Sequence, residues 1–407
     1  MQGESFFADF KSGYQALNIS PVNLSFVDNF RSVKTEKEIS RQTEFFQKFS
    51  RRIKTIERKN LSAKRQIDLD LIEYEIRLNS ERLELETTFV KNKPENLAVR
   101  SILEIPNGDK WYRYLLKRWV DRSVTPDLMF AFGLAEIEKV QAKITDIQRR
   151  SKLTETEFEK HLEDSQFFYN DVRPIQDSFD ATKQRISKNL TDKFPFLDKI
   201  PGFQIRRSTN PNMQQVPGFY SNRVFYYNYF DKPFKKRQIE WIYIHEAMPG
   251  HHFQTSVENF LPLSETKRLF RYSGFMEGWA AYVEDIGWEY DAYPDLYSEL
   301  GKWEWDLVRS VRISLDVGLN SYGWSDRKAL EFWKKNISNQ DDIAMREINR
   351  MRRWPAQVIT YKYGANRFLE FKQKAEKKEG KNFNLKDFHR RMLENGSLPF
   401  SVLEKHL

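Results

Sequence analysis

Three of the six histidines in the 407-residue chain fall within His245-Glu246-Ala247-Met248-Pro249-Gly250-His251-His252-Phe253-Gln254. Imidazoles at this density, with a carboxylate beside the first, are the chemistry of a metal-dependent hydrolase. Neutral imidazoles hold the ion, and a neighbouring carboxylate takes a proton from water. The spacing departs from H-E-x-x-H, in which the second His lies one turn along the same helical face. The fourth position after His245 is Pro249. On a regular helix, at about 100° per residue, His251 would stand roughly 120° from His245 and His252 about 20° from it. Pro249 has no N–H to give the His245 carbonyl and clashes with it, and Gly250 weakens the helix further. If these two residues bulge out, His251 takes the place of the fourth residue. The residues themselves therefore favour His251 as the second ligand, with His252 as the alternative.

A catalytic zinc takes three protein ligands and keeps one position for water. The best third donor is Glu277, in Gly274-Phe275-Met276-Glu277-Gly278-Trp279-Ala280-Ala281-Tyr282-Val283-Glu284-Asp285. Its neighbours Phe275, Met276 and Trp279 are apolar, and an unpaired carboxylate among them is costly. Glu284, seven residues on, shares its helical face and is a candidate for a supporting or substrate-binding role.

Helices must carry these groups. Phe45, Phe46, Phe49, Ile53 and Ile56 recur at helical spacing in the first 95 or so residues, and Ile67, Leu71 and Leu78 continue the pattern. Lys93-Pro94 marks a break. Thr125-Pro126-Asp127 is a helix start, with Thr as N-cap and Pro in the first turn. Between 194 and 234, five prolines interrupt aromatic runs, and Phe203–Arg206 and Val224–Tyr229 are predicted as strands. Val224–Tyr229 offers an edge to which an extended peptide can add. Further helices are expected at about 236–260, 264–290, 294–320, 326–337, 341–350, 355–379 and 384–394. The expected fold is mostly α, with one small β-sheet just before the metal-binding helix. Residues 1–195 form an N-terminal helical region and 196–407 a metal-binding catalytic region, the two together making one compact unit.

Composition narrows the function. With no cysteine, thiolate ligands, disulfides and a Cys nucleophile are excluded. The net charge of +9 comes from Lys and Arg interleaved with Asp and Glu, as on solvated helix faces, so no nucleic-acid partner is expected. No apolar run is long enough to span a bilayer, so no membrane partner is expected either. The N-terminus lacks a basic segment followed by an apolar one. That predicts a cytoplasmic protein, with a secreted or periplasmic one as the alternative for a chain whose signal has been removed. Nothing in the residues assigns an oligomeric state.

The sequence resembles the DUF885 family of bacterial metallopeptidase-like proteins. The family's H-E-x-x-P-G-H-x-x-Q is matched at His245 to Gln254, and its E-G-W-A-x-Y-x-E at Glu277 to Glu284. A third block, R-x4-P-G-Q-x3-Y-K-x-G, is matched from Arg350 through Gln357, Tyr361, Lys362 and Tyr363 to Gly364, with Ala356 in place of Gly. A D-x-G-x-H element departs at its last position, where this chain has Asn320. The resemblance implies a helical zinc-peptidase-like fold enclosing a long cleft, with the N-terminal region forming one side of it. It also implies one Zn2+ per chain on His245, His251 and Glu277, with Glu246 as general base. The function expected from these residues is a zinc-dependent peptidase acting on a peptide or other small amide. Tyr361 is the expected oxyanion donor. His252, Glu284, Arg350, Lys362 and Tyr363 are expected to bind substrate or support the ligands, and Arg309 is a further candidate for either role. The alternatives are a zinc hydrolase of a non-peptide amide or ester, and a catalytically silent helical binding protein.

Overall fold

The computed structural model describes residues 2–93, 99–214, 216–230, 232–338 and 340–407. The chain is mostly helical, and one continuous apolar core runs from Phe6 to Leu403, crossing the boundary expected near residue 195. The break expected at Lys93-Pro94 falls on residues outside the described ones from 94 onward.

The early helices form where caps and periodicity specify them. Glu36–Arg52 opens on a reciprocal capping box between Thr35 and Glu38, and buries Phe46 and Phe49. It ends at Arg52, four residues short of the predicted pattern, because Ile53–Thr55 tightens into a single 3-10 turn. Pro126–Ser151 begins as expected, with the Thr125 hydroxyl accepting from the Leu128 N–H. It packs along Leu296–Asn320, a 25-residue helix that is buried over most of its length and forms the spine of the molecule. Ser273–Asp285 packs as closely against Ile359–Glu379.

The β structure differs from expectation in two respects. Strands β1 (Phe168–Tyr169) and β5 (Phe234–Lys235) pair as a separate two-stranded sheet, and two-residue strands carry no periodicity to read. In the main sheet, β4 (Val224–Tyr227) lies between β2 (Gln204–Arg207), parallel to it, and β3 (Gly218–Ser221), antiparallel. The Val224 strand is therefore central, with both edges occupied, and cannot accept a further strand. Free edges belong to β2 and β3. Phe225 and Tyr227 on β4 face Phe179 of the Val172–Ser187 helix, with ring centroids 5.0 Å apart in both pairs. On the same face Gly218, the cross-strand partner of Tyr227, sits against Ile242. One face of the sheet thus packs on both Val172–Ser187 and the helix that carries His245, and those two helices also pack on each other.

No helix among the described residues is long and apolar enough to cross a membrane.

Candidate metal centre

The predicted helix at 236–260 is two helices, Ile239–Glu246 and His251–Phe260. Pro249 is the reason: with no N–H it cannot continue the ladder. The Met248–Pro249 peptide is cis, and the chain folds back on the end of the first helix. There Gly250 passes so close that a Cβ on it would lie 2.0 Å from the His245 carbonyl oxygen and 2.2 Å from that of Ile244. Both neighbours are backbone and cannot step aside. Gly250→Ala is expected to push the first turn of the second helix outward and destabilise the protein by about 1–3 kcal/mol, the range for overpacking. Chemical denaturation measures the loss, and a variant as stable as wild type would contradict the geometry.

The fold-back brings the imidazoles of His245 and His251 edge to face, centroids 4.7 Å apart. Glu277, in the first turns of Ser273–Asp285, projects between them. Its Oε2 lies 3.6 Å from His245 Nε2 and 3.3 Å from His251 Nε2. The three donor atoms fall within 4.8 Å of one another. Glu277 Oε2 is buried and makes no hydrogen bond. Donors on a tetrahedral ion at about 2.0–2.2 Å stand roughly 3.3–3.6 Å apart, so the spacing on both sides of the Glu277 oxygen fits a zinc-sized ion, and the chemistry of two imidazoles and a carboxylate suits one. His251 and Glu277 keep 16% and 23% of their side-chain exposure, so the group opens to solvent on one side.

The structure separates His252 from this group. It is buried, its Nε2–H donates to the Pro201 carbonyl at 2.9 Å, and its Nδ1 accepts from the Tyr220 hydroxyl at 3.1 Å. Both ring nitrogens are occupied in joining the second helix to the sheet region.

Gly278, Trp279, Tyr282 and Glu284 of the E-G-W-A-x-Y-x-E stretch each acquire a physical role. Gly278 lets its helix approach Gly364 so closely that a Cβ would lie 2.5 Å from the Gly364 Cα. The Trp279 indole N–H donates to the Pro249 carbonyl at 2.9 Å and pins the fold-back. The Tyr282 hydroxyl meets His389 Nε2 at 2.9 Å in the core. Glu284, fully buried, accepts from His245 Nδ1–H at 2.7 Å and from both terminal nitrogens of Arg309 at 2.7 and 2.8 Å. That carboxylate fixes the His245 tautomer and leaves the Nε2 lone pair facing Glu277. Arg309 thus supports the Glu284 carboxylate.

Charge at the site points the same way. Burial pulls His245 down, but the Glu277 and Glu284 carboxylates outweigh it and hold the imidazole up at about 9. Burial works to raise Glu277, yet the two histidines hold it well below the ordinary carboxylate range. These carboxylates demand a cation, which a proton or a divalent ion can supply, and the two compete for the same lone pair. Glu246 is pushed up, chiefly by burial, as suits a group that must take a proton.

Of the third block, Tyr361 and Arg350 reach this group. The Tyr361 ring stacks on His245 with centroids 6.1 Å apart. Its hydroxyl oxygen accepts from Arg350 at 3.3 Å and from the Gln357 amide at 3.2 Å. With two donors on the oxygen, the O–H proton is left to donate. Gln357, one turn before Tyr361, was not singled out from the sequence, although that spacing was its signal. Lys362 and Tyr363 belong elsewhere, contrary to expectation. Lys362 is buried against Asp306 at 2.7 Å and Glu136 at 3.3 Å, in an interior ion cluster that includes Lys302 and Asp285. Tyr363 packs edge-on against Phe132 and Phe400. Successive helical residues point about 100° apart, and only Tyr361 has the phase that faces His245.

Ala356, where the family has Gly, has φ +69, and its N–H donates to both Asp316 carboxylate oxygens at 2.9 and 3.1 Å. A Cβ in this left-handed region costs about 1–2 kcal/mol, offset in part by the extra unfolded-state freedom of Gly. Ala356→Gly is expected to stabilise the protein by about 0.5–1 kcal/mol, seen as a higher urea midpoint; a lower midpoint would contradict this. Asn320, at the other departure, donates its side-chain amide to the Met351 carbonyl at 3.1 Å and takes no part in the metal group.

Fold and site together define a mostly helical protein with a solvent-facing His-His-Glu constellation. The chain belongs to the family described as "Bacterial protein of unknown function (DUF885)", whose model matches residues 84–407. Solved structures share the fold, two of them over nearly the whole of this chain. One is a candidate lipoprotein from Colwellia psychrerythraea, at TM-score 0.70 and 20% identity, covering 93% of this chain and 68% of that one. The other is a candidate lipoprotein of unknown function from Shewanella oneidensis, at TM-score 0.71 and 14% identity, covering 99% of this chain and 98% of that one. No curated protein matches the chain.

Proposed function

We propose that this protein is a zinc-dependent hydrolase that cleaves peptide bonds, with the metal group facing a cleft of the helical zinc-peptidase kind. The observation that carries the reading is the Glu277 oxygen, buried without a hydrogen bond and 3.3 and 3.6 Å from two imidazole nitrogens. His245, His251 and Glu277 would hold the ion. When bound, zinc supplies Lewis acidity that lowers the pKa of water toward about 7 and polarises a carbonyl. Glu284 and Arg309 keep the His245 ring in its orientation. Glu246 takes a proton from the attacking water and returns it to the leaving amine, a task its burial-raised affinity for protons suits. Tyr361 directs its free O–H at the oxyanion that develops on the scissile carbonyl, while Arg350 and Gln357 hold the phenol in place. A digest of a mixed peptide library by zinc-loaded protein tests the reading. Cleavage that a chelator stops is the expected result. Peptides left intact while ester or non-peptide amide substrates are cleaved would transfer the chemistry to another substrate class.

A further inference from the structure

Positive charge exceeds negative at the hydroxyl end of Tyr361. Arg312, Arg346 and Arg350 all turn to the single carboxylate of Glu347, at 3.0, 3.2 and 3.7 Å. Among the described residues these are the only acid contacts within ion-pair distance that any of the three makes. Arg309 adds no surplus, because Glu284 answers it with two hydrogen bonds. Nor does the metal group: on the reading above, a divalent ion is balanced by Glu277 and Glu246. Three guanidiniums thus share one carboxylate in a largely desolvated setting, where unbalanced charge is costly. Arg312 is 1% exposed and its Nε–H has no partner. Burial pushes it below its ordinary range even with Glu347 beside it. The Arg350 Nε–H is likewise buried without a partner. Arg350 gives Nη2 to Gln357 and Tyr361, and its Nη1 lies 3.7 Å from Glu347, so the Nε–H is the one donor left over. It keeps 17% of its side-chain exposure and Arg346 keeps 27%, so this is the side of the cluster that a solute can reach.

We infer that the substrate carries a carboxylate, and that Arg350, with Arg346 behind it, binds that carboxylate beside Tyr361. The inference rests on the metallohydrolase reading and names its substrate class. A guanidinium with a spare N–H matches a carboxylate in hydrogen bonding as well as charge. The distance suits a group close to the bond being cut. Tyr361 alone bridges the gap, its ring on His245 and its hydroxyl on Arg350. One to two residues of extended chain, at about 3.3–3.6 Å each, span a comparable length. The carboxylate is then either the C-terminus of the residue being released or the acidic side chain of a residue next to the scissile bond.

The test is binding, measured by calorimetry on zinc-loaded Glu246→Gln protein so that turnover does not interfere. Three acetylated tripeptides serve as probes: one with a free C-terminal carboxylate, its C-terminal amide, and the amide with Glu as last residue. The expected result is that a carboxylate-bearing probe binds about 10–100-fold more tightly than the plain amide. If only the free C-terminus gains, the anchor reads the chain end; if the Glu amide gains, it reads a side chain. In the same background Arg350→Gln should bring the ratio to within about threefold, and Arg350→Lys should keep part of it. Tyr361→Phe should weaken the probes without changing the ratio, which separates charge recognition from loss of the tyrosine's position. Arg346→Gln, at a more exposed residue, lowers the ratio with the fold undisturbed. A plain amide that binds as well as the acids, a ratio that survives Arg350→Gln, or no binding by any probe would overturn the inference. Failure of the metallohydrolase reading looks different: the carboxylate probes bind, while zinc-loaded wild-type protein cleaves nothing.

Discussion

Replacing Glu246 with Gln is expected to lower the rate of peptide hydrolysis by about 10²–10⁴-fold, the contribution of a positioned general base. The loss should lie in turnover alone. Glu246 is not one of the three donors that converge on the candidate ion, so metal content should match that of wild type. The fold should be equally stable or slightly more so, because burial already raises the energy of the Glu246 carboxylate and an amide has no charge to desolvate. Metal analysis, a denaturation midpoint and a peptide cleavage assay on the same preparation check the three parts. Cleavage at the wild-type rate would remove Glu246 from the mechanism. Loss of metal along with activity would make it a ligand.

The second large effect falls on a residue that touches no substrate. Glu284 is fully buried and is the sole carboxylate within ion-pair distance of Arg309 among the described residues, with Arg309 itself 2% exposed. Glu284→Ala leaves that guanidinium buried and unpaired, which is expected to cost about 3–5 kcal/mol of stability. It also frees the His245 ring to turn and to change tautomer, which should weaken metal binding by about 10–100-fold. A double variant separates the two effects. Glu284→Ala with Arg309→Met removes the unpaired charge and should recover much of the stability, while metal affinity stays low because His245 Nδ1–H still lacks its acceptor. Urea midpoints and a competitive zinc titration give both quantities. Recovery of metal affinity in the double variant would show that Glu284 acts through charge balance alone.

These two residues show what the sequence made legible. Glu246 was identifiable from one neighbour, because base and first imidazole are consecutive. Glu284 was only half legible. Its spacing from Glu277 put it on the right helical face, but its partners His245 and Arg309 lie on other helices, 39 positions before it and 25 after it. The Pro249-Gly250 insertion was recognised as a distortion. Its form was not, since two helices meeting at a fold-back depend on how closely Gly250 passes the His245 carbonyl, which is a matter of packing.

The third block shows the opposite difficulty. Tyr361, Lys362 and Tyr363 are consecutive, and all three look chemically able. Which of them faces the site depends on the phase of Ile359–Glu379, and this helix is buried on several sides where it meets Ser273–Asp285 and Leu296–Asn320. An amphipathic pattern would have given the phase, but from Ile359 to Ala365 no residue is exposed, and such a stretch has little phase to read. The Arg312, Arg346, Arg350 and Glu347 cluster joins two helices through side chains alone and leaves no periodic trace. The strands failed for reasons of length. Four residues in β4 show alternation, but not which strand is central, and two residues in β1 show nothing.

The central claim is that His245, His251 and Glu277 hold a zinc ion. It is tested most directly by stripping the purified protein with a chelator and titrating zinc back, with bound metal measured independently of activity. The account predicts about one zinc per chain in wild type and in His252→Ala, and none retained in His251→Ala or Glu277→Ala. Bound zinc below about 0.1 per chain in wild type, or a His251→Ala variant that binds like wild type, would contradict it.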